Sequence, residues 1–427
     1  MDCTILKQYC FAGMAALCAS LHVHAQDTLH ISLAEAEKQF FENNLQLLAE
    51  RYNVDAARAQ VIQAGLYANP NVSFTGNIYN PDQKKWLDVS NKTGEYGLNV
   101  QQLIVLAGKR NKQVKLAETN ARQAENSFFD LMRTLQYTLR SDFYNIYFLQ
   151  NSANAYNRQV ASLQQLNAAY QDLLAKGDVT LKDAVRIKSL LYSLQAEQTA
   201  LHNQISDLEA ELQLLLHTIN TYLVPDAGVT PIAEPVSSLN VQRVLDTAYV
   251  NRYDLRLAEN TVLLNQQNYA LQKALRVPDL TLGSQFDKRG SFVNNASFFY
   301  AAIDLPFFNR NQGNIKAAKI SIDQSKTTLN LQRFTIENEV QKAYRKALAT
   351  ETMLRSFDPN FKEQLDRLLQ GVTENFQKHN ISLIEFTDFY QSYKENILQL
   401  NQLQYARMQA LEDLNFAAGK PVINQSN

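Results

Sequence analysis

From Lys109 to Lys176 the chain contains neither glycine nor proline, and from Asp178 to Val224 it again contains neither. A helix over the first interval is on the order of 100 Å long, at about 1.5 Å per residue. No compact domain buries such a rod, so it must pack along its length against others like it. Apolar residues at Phe128, Met132, Leu135, Leu139, Phe143, Ile146, Leu149, Ala153, Tyr156, Val160, Leu163, Leu166, Tyr170 and Leu173 recur at a spacing of about 3.5, the coiled-coil period. Much of the remaining surface is Gln, Asn, Ser and Thr, which suits a wall wetted on one side.

The second half of the chain repeats the plan of the first. Leu33 to Phe74 runs beside Val241 to Leu282 without a gap: Asn43 meets Asn251, Leu47 meets Leu255, and Asn69-Pro70-Asn71-Val72 meets Val277-Pro278-Asp279-Leu280. Few residues are identical, but the order of events persists: an amphipathic stretch, a Pro stop, a strand, a polar loop, a second strand and a very long helix. Such a duplication points to an assembly part rather than a solitary enzyme with one pocket.

Ser32 is placed to cap a helix from Leu33, with Glu35 in its first turn, that continues through Tyr52 and Val61 to about Tyr67 and stops at Pro70. From Asn71 the pattern changes to period two, with Val72, Phe74, Gly76 and Ile78 on one face and Asn71, Ser73, Thr75 and Asn77 on the other. After a polar loop the return strand sets Tyr96, Leu98 and Val100 against Gly97, Asn99 and Gln101. In the second copy Leu280, Leu282 and Phe286 alternate with Thr281, Gly283 and Gln285. Phe299, Ala301, Ile303 and Leu305 then alternate with Phe298, Tyr300, Ala302 and Asp304. Four strands beside such long helices offer little sheet for another layer to cover. Two half-buried hairpins packed on a soluble core are the alternative, but a lipid-facing apolar side and a polar lumen explain the alternation without another layer. Tyr79, Trp86, Phe292 and Phe298 to Tyr300 fit an interfacial aromatic belt and ordinary loop or strand packing equally.

These signals divide the chain. A first repeat spans 26–224, with strands at about 71–79 and 95–103 and long helices at about 108–176 and 180–219. A connector marked by Pro225, Pro231 and Pro235 spans 225–238. A second repeat spans 239–419, with strands at about 279–286 and 297–305 and long helices at about 313–378 and 382–417, the former interrupted at Asp358-Pro359. A polar tail covers 420–427. Gly177 supplies the permissive turn between the first helix pair, with Asp178 or Thr180 as the next cap, and Asn380 is the candidate for the left-handed position of the second turn.

Residues 1–25 read as a secretory signal: Lys7 supplies positive charge, Phe11 to Leu21 an apolar run, and Val23-His24-Ala25 a cleavage site after Ala25. All three cysteines, Cys3, Cys10 and Cys18, lie inside it, and Leu17 fits poorly with lipidation of Cys18. Beyond the signal no stretch approaches the roughly 20 apolar residues of a membrane-spanning helix, but a β-barrel needs only about ten alternating residues per strand. The net charge of -1 gives no reason to expect nucleic acid. His30, His202, His217 and His379 are scattered without metal-ligand spacing, and no phosphate loop or nucleophile elbow occurs, so no catalytic, cofactor or metal site is expected.

Two repeats of helix, hairpin and long helix pair on an exported chain resemble the TolC-type outer-membrane efflux proteins. The resemblance covers the whole chain beyond residue 25. It is carried by Asn69-Pro70 before the first strand, by Leu305-Pro306-Phe307 before Asn311-Gln312-Gly313, and by the turns Lys176-Gly177-Asp178-Val179-Thr180-Leu181 and Asn380-Ile381-Ser382-Leu383. It implies a mainly α fold with a small β part, in which three chains share a twelve-stranded transmembrane β-barrel continued by a long periplasmic α-barrel. Physics agrees in one respect: four strands cannot close a barrel alone.

The resemblance further implies a passive exit duct in the outer membrane of a Gram-negative bacterium, contacting lipid and serving a periplasmic adaptor and an inner-membrane pump. The adaptor-contact tips are then Gly177, Asp178, Val179, Thr180 and Leu181 with His379, Asn380, Ile381, Ser382 and Leu383. A carboxylate pair that lines the closed aperture in the family matches Glu385 and Asp388. The first copy has Asp183 in the place of Glu385 but Arg186 in the place of Asp388, which leaves room for an Arg186 salt bridge. Plain helix-hairpin turn chemistry and a solvated charged face account for the same residues equally well. A periplasmic coiled-coil adaptor or scaffold, or the exit duct of a protein secretion system, are the alternatives in function.

Overall fold

The computed structural model describes residues 27–219, 221–227, 235–289, 293–378 and 380–423. The expected signal segment with Ala25, the loop residue Phe292, Pro231 of the connector and the tip residue His379 lie outside the described residues.

The first copy runs through β1 (Asp27–Ser32), α1 (Leu33–Asn43), α2 (Leu45–Ala64), β2 (Asn71–Gly76), the short β3 (Tyr79–Asn80) and β4 (Lys85–Trp86), β5 (Tyr96–Ile104), α3 (Lys109–Lys176), α4 (Leu181–Leu216) and β6 (Thr221–Asp226). After a 3-10 turn at Val236–Ser238 the second copy gives α5 (Val241–Asn251), α6 (Tyr253–Leu275), β7 (Leu280–Arg289), β8 (Asn294–Ile303), α7 (Gln312–Arg355), α8 (Phe361–Gln377) and α9 (Leu383–Ala418).

The expected single helix from Leu33 to about Tyr67 is two helices. Asn44 leaves the helical region at ψ 116°, its Oδ1 accepts from the Leu47 N–H at 2.9 Å, and its Nδ2 donates to the Leu215 carbonyl at 2.9 Å. The second copy breaks at the equivalent place, Arg252, at ψ 122°. That guanidinium is held by Asp254, Glu339 and the Ala417 carbonyl. The duplication thus extends to the break itself. α2 also stops at Gly65, short of Pro70, and the freed Gly65 carbonyl accepts from Arg110 at 2.9 Å.

The 68-residue α3 is continuous. It buries Leu139, Phe143, Ile146, Ala153, Tyr156, Val160, Leu163 and Tyr170 from the coiled-coil stripe. It packs on α4, on α2 and α6 toward the sheet, and on α9 toward the other end. The second long helix is interrupted as expected: Asp358 Oδ1 accepts from the Asn360 N–H at 2.9 Å, and Pro359 cannot continue the ladder. Four apolar clusters run along this wall among the described residues, the smallest joining Ala155, Leu365, Tyr393 and Ile397. Of the larger three, one joins Phe40, Phe143 and Leu212, one joins Val244, Ile336 and Leu411, and one joins Leu163, Ile187, Phe376 and Phe386.

The main sheet has the order β2-β5-β7-β8, antiparallel throughout, so the two hairpins join through β5 and β7. β2 ends at Gly76 rather than near Tyr79, because Asn77 turns the chain by accepting from the Tyr79 N–H at 3.2 Å; Ile78 therefore stands outside the sheet. β3 and β4 form a separate small hairpin with Tyr79 packed on Trp86. A second correction concerns the boundary at 224: Pro225 and Asp226, assigned to the connector, belong to β6, which pairs in parallel with β1. Proline is tolerated there because β6 has a single partner strand among the described residues.

Candidate functional site

The tips are built by helix ends. At the first, Gly177 takes φ +84°, the Asp178 N–H donates to the Leu173 carbonyl at 3.0 Å, and Thr180 caps α4 through the Asp183 N–H at 3.2 Å. Thr180, not Asp178, is the cap. At the second, the Asn380 N–H donates to the Asn375 carbonyl at 2.9 Å, the same bond. Asn380 therefore takes the place of Asp178 rather than that of Gly177, and it is not among the residues at positive φ.

The fold sets the two tips side by side. Tyr170 stacks on Phe376 at 5.9 Å and Phe376 on Phe386 at 4.3 Å, joining the α3–α4 hairpin to the α8–α9 hairpin. Val179, Ile381 and Leu383 pack on the same cluster. Leu181 points away from it and is exposed, as are Val185 and Ile384. Those last two were missed by sequence reasoning; the signal was their apolar identity on the outward side of the first two turns of capped helices.

The carboxylates differ in their engagements. Glu385 closes a capping box: its Oε2 accepts from the Ser382 N–H and hydroxyl, both at 2.8 Å, while its own N–H donates to Ser382 Oγ at 3.2 Å. The Ser382 backbone bond, then the side-chain bond, hold the Glu385 carboxyl below its ordinary pKa. Asp183 accepts from the Thr180 hydroxyl at 2.7 Å. Asp388 is exposed one turn beyond Glu385. Arg186, also exposed, forms no ion pair among the described residues.

At the opposite end the sheet separates its residues by face. The register pairs Val72 with Val100, Phe74 with Leu98, Leu98 with Phe286 and Leu282 with Ala301 on one side. Asn71, Ser73, Thr75, Asn99, Gln101, Gln285 and Tyr300 share the other. Val72, Phe74 and Phe299 are exposed on the apolar side. On the polar side the Tyr300 hydroxyl donates to Gln101 Oε1 at 2.9 Å and lies 3.1 Å from Asn99 Oδ1, crossing β7 above Gly283. Among the described residues no helix is long and apolar enough to cross a membrane, and no group of three or more His, Cys, Asp or Glu side chains is arranged to hold a metal.

The family model of the outer membrane efflux proteins matches residues 38–217 and 244–420, one match for each copy of the duplication. The chain belongs to the outer membrane efflux protein family. It is similar to the outer membrane protein TolC of Salmonella enteritidis, at 29% identity over 188 residues, and of Escherichia coli K12, at 31% over 177 residues. These matches span 41% and 39% of this chain and 38% and 35% of the two TolC chains, so the chain covers less than half the length of the relatives it matches. The crystal structure of the Campylobacter jejuni CmeC outer membrane channel has the same fold, with a TM-score of 0.73 at 15% identity, over 92% of this chain and 87% of that one. Family membership places the chain in the outer membrane.

Proposed function

We propose that this efflux-family chain is one of three identical subunits forming a passive duct that carries small molecules or ions across the periplasm and outer membrane. The observation that carries the reading is the open four-stranded sheet, apolar on one side and polar on the other, continued by a helical wall with two free edges. The edge strands β2 and β8 have no partner on their outer sides among the described residues. Because the copies are equivalent, the β5–β7 seam within one chain is the pattern for a β8–β2 seam between chains. The α3–α6 packing is likewise the pattern for α7 against α2 of the next subunit. The faces that such a neighbour covers are apolar and exposed: Leu45, Leu48 and Tyr52 on α2, and Ile320, Leu331 and Phe334 on α7.

In this assembly the tips close the periplasmic end. Three copies of Glu385 and Asp388 gather around the axis, attract cations and bind them while the aperture is narrow. Leu181, Val185 and Ile384 form the footing for a periplasmic adaptor, which links the duct to an energised inner-membrane pump. Purified protein in planar bilayers should show discrete conductance steps, and chemical cross-linking should trap a trimer. A monomer that leaves the bilayer unperturbed overturns the proposal.

A further inference from the structure

A cavity of about 350 Å3 opens where α3, the break between α5 and α6, and the end of α9 meet. Its apolar walls are aromatic: Phe129 stacks on Tyr253 at 4.9 Å, and the Arg133 guanidinium lies 4.2 Å from the centre of the Phe416 ring. Arg133 is largely buried. Its Nη1 donates to the Phe416 carbonyl at 2.9 Å and its Nη2 to Asp130 at 2.8 Å, but its buried Nε has no acceptor among the described residues. A buried N–H without a partner is rare in folded proteins and asks for a water or a ligand. Arg256 and Lys420 stand on the rim, both exposed and neither in an ion pair among the described residues. The acids nearby are already engaged: Glu412 by Arg140, and Asp254 by Arg252. The cavity therefore combines surplus positive charge, an unmatched N–H donor and flat apolar walls.

We propose that this cavity binds a small aromatic carboxylate. The ring slots between the Phe129–Tyr253 pair and the Arg133 guanidinium stacked on Phe416, and the carboxylate accepts from the Arg133 Nε–H while Arg256 and Lys420 neutralise it. The volume lies within the range of small-molecule sites, at about 300–1,000 Å3. A bound ligand would bridge the first copy's long helix, the second copy's helix break and the end of α9. The proposal stands independently of the channel reading, because it uses only contacts within one chain.

The test is calorimetric titration of the purified full-length protein in detergent with 2-naphthoate, using neutral 2-naphthamide as control. Saturable binding of naphthoate at one site per chain is expected, with naphthamide about tenfold or more weaker, the loss of a charge-assisted hydrogen bond. The double variant Arg256→Gln/Lys420→Gln removes both rim charges, together with the Arg256 bond to the Val250 carbonyl at 2.6 Å. With its melting temperature checked against wild type, it should weaken naphthoate about tenfold while leaving naphthamide unchanged. Equal binding of naphthoate and naphthamide, no saturation by naphthoate, or naphthoate binding insensitive to the double variant overturns the proposal.

Discussion

The Asp279 carboxylate accepts from the Lys109 ammonium at 2.7 Å, and the Leu106 backbone N–H donates to the same oxygen at 2.9 Å. Lys109 opens α3 in the first copy and Asp279 stands just before β7 in the second, so one carboxylate pins the transition from sheet to helix across the duplication. The Lys109 side chain is only 5% exposed, which makes its partner matter. Asp279→Asn should lower stability by ~3 kcal/mol, because it strands a buried ammonium. Adding Lys109→Met should recover most of that loss, since the uncompensated charge is gone. Thermal unfolding of the purified protein in detergent reads both changes; equal melting of Asp279→Asn and wild type would contradict the argument.

The polar side of the sheet depends on a missing side chain. A Cβ at Gly283 would overlap the Tyr300 ring that crosses over it to reach Asn99 and Gln101. Gly283→Val should therefore cost ~1–3 kcal/mol through overpacking and unseat the hydroxyl. The double variant Gly283→Val/Tyr300→Ser should assemble better than Gly283→Val alone. The fraction of protein recovered as heat-resistant oligomer from outer membranes decides between them.

What the chain discloses by itself follows the range of the interactions involved. The Ser32 capping box, the Gly177 turn, the stripe from Phe128 to Leu173 and the two faces of the sheet are local or periodic, and all are present in the fold. The helix breaks at Asn44 and Arg252 are not local. Their polar groups are satisfied by Leu215, Glu339 and Ala417, far along the chain, so neither residue reads as a breaker. The β1–β6 pairing was concealed for the same reason and by Pro225. At the tips, turn chemistry was legible in Gly177, Thr180 and Ser382. The outward placement of Val185 and Ile384 was not, because periodicity alone cannot tell a core-facing apolar residue from one awaiting a partner.

Two buried carboxyls make stability depend on pH in an unusual direction. Burial, and then the charge of Glu211, pushes Asp142 up to about 7; burial pushes Glu209 up to about 7. Each keeps one oxygen without a hydrogen-bond partner among the described residues. Both groups have folded-state values above those of the unfolded chain, 3.8 and 4.5. The stability they contribute is thus fully present below about pH 4 and is lost as pH rises toward 7, by about 1.4 kcal/mol per pH unit for each proton involved. Asp142→Asn and Glu209→Gln should flatten this part of the profile relative to wild type. Chemical unfolding at intervals between pH 4 and 7 measures the slopes, and parallel profiles for wild type and variants would refute the assignment.

Glu385 and Asp388 share a helix face but differ in their engagements, which allows the proposed aperture role to be tested separately from helix capping. Glu385 is tied to Ser382, so its charge is held in place at the helix start, whereas Asp388 is exposed one turn on. Ser382→Ala should cost ~1 kcal/mol as a lost helix cap and leave cation binding largely intact. Asp388→Asn should weaken divalent-cation block of the channel about tenfold or more, and combining it with Glu385→Gln should weaken it further. The lowered pKa of Glu385 adds a sign: its charge survives as pH falls through the ordinary glutamate value, so part of the block should persist there in Asp388→Asn and vanish in the double variant. Single-channel recordings with millimolar divalent cation on the periplasmic side read all of these. Undiminished block in the double variant would remove both residues from the aperture and leave Glu385 as a helix cap alone.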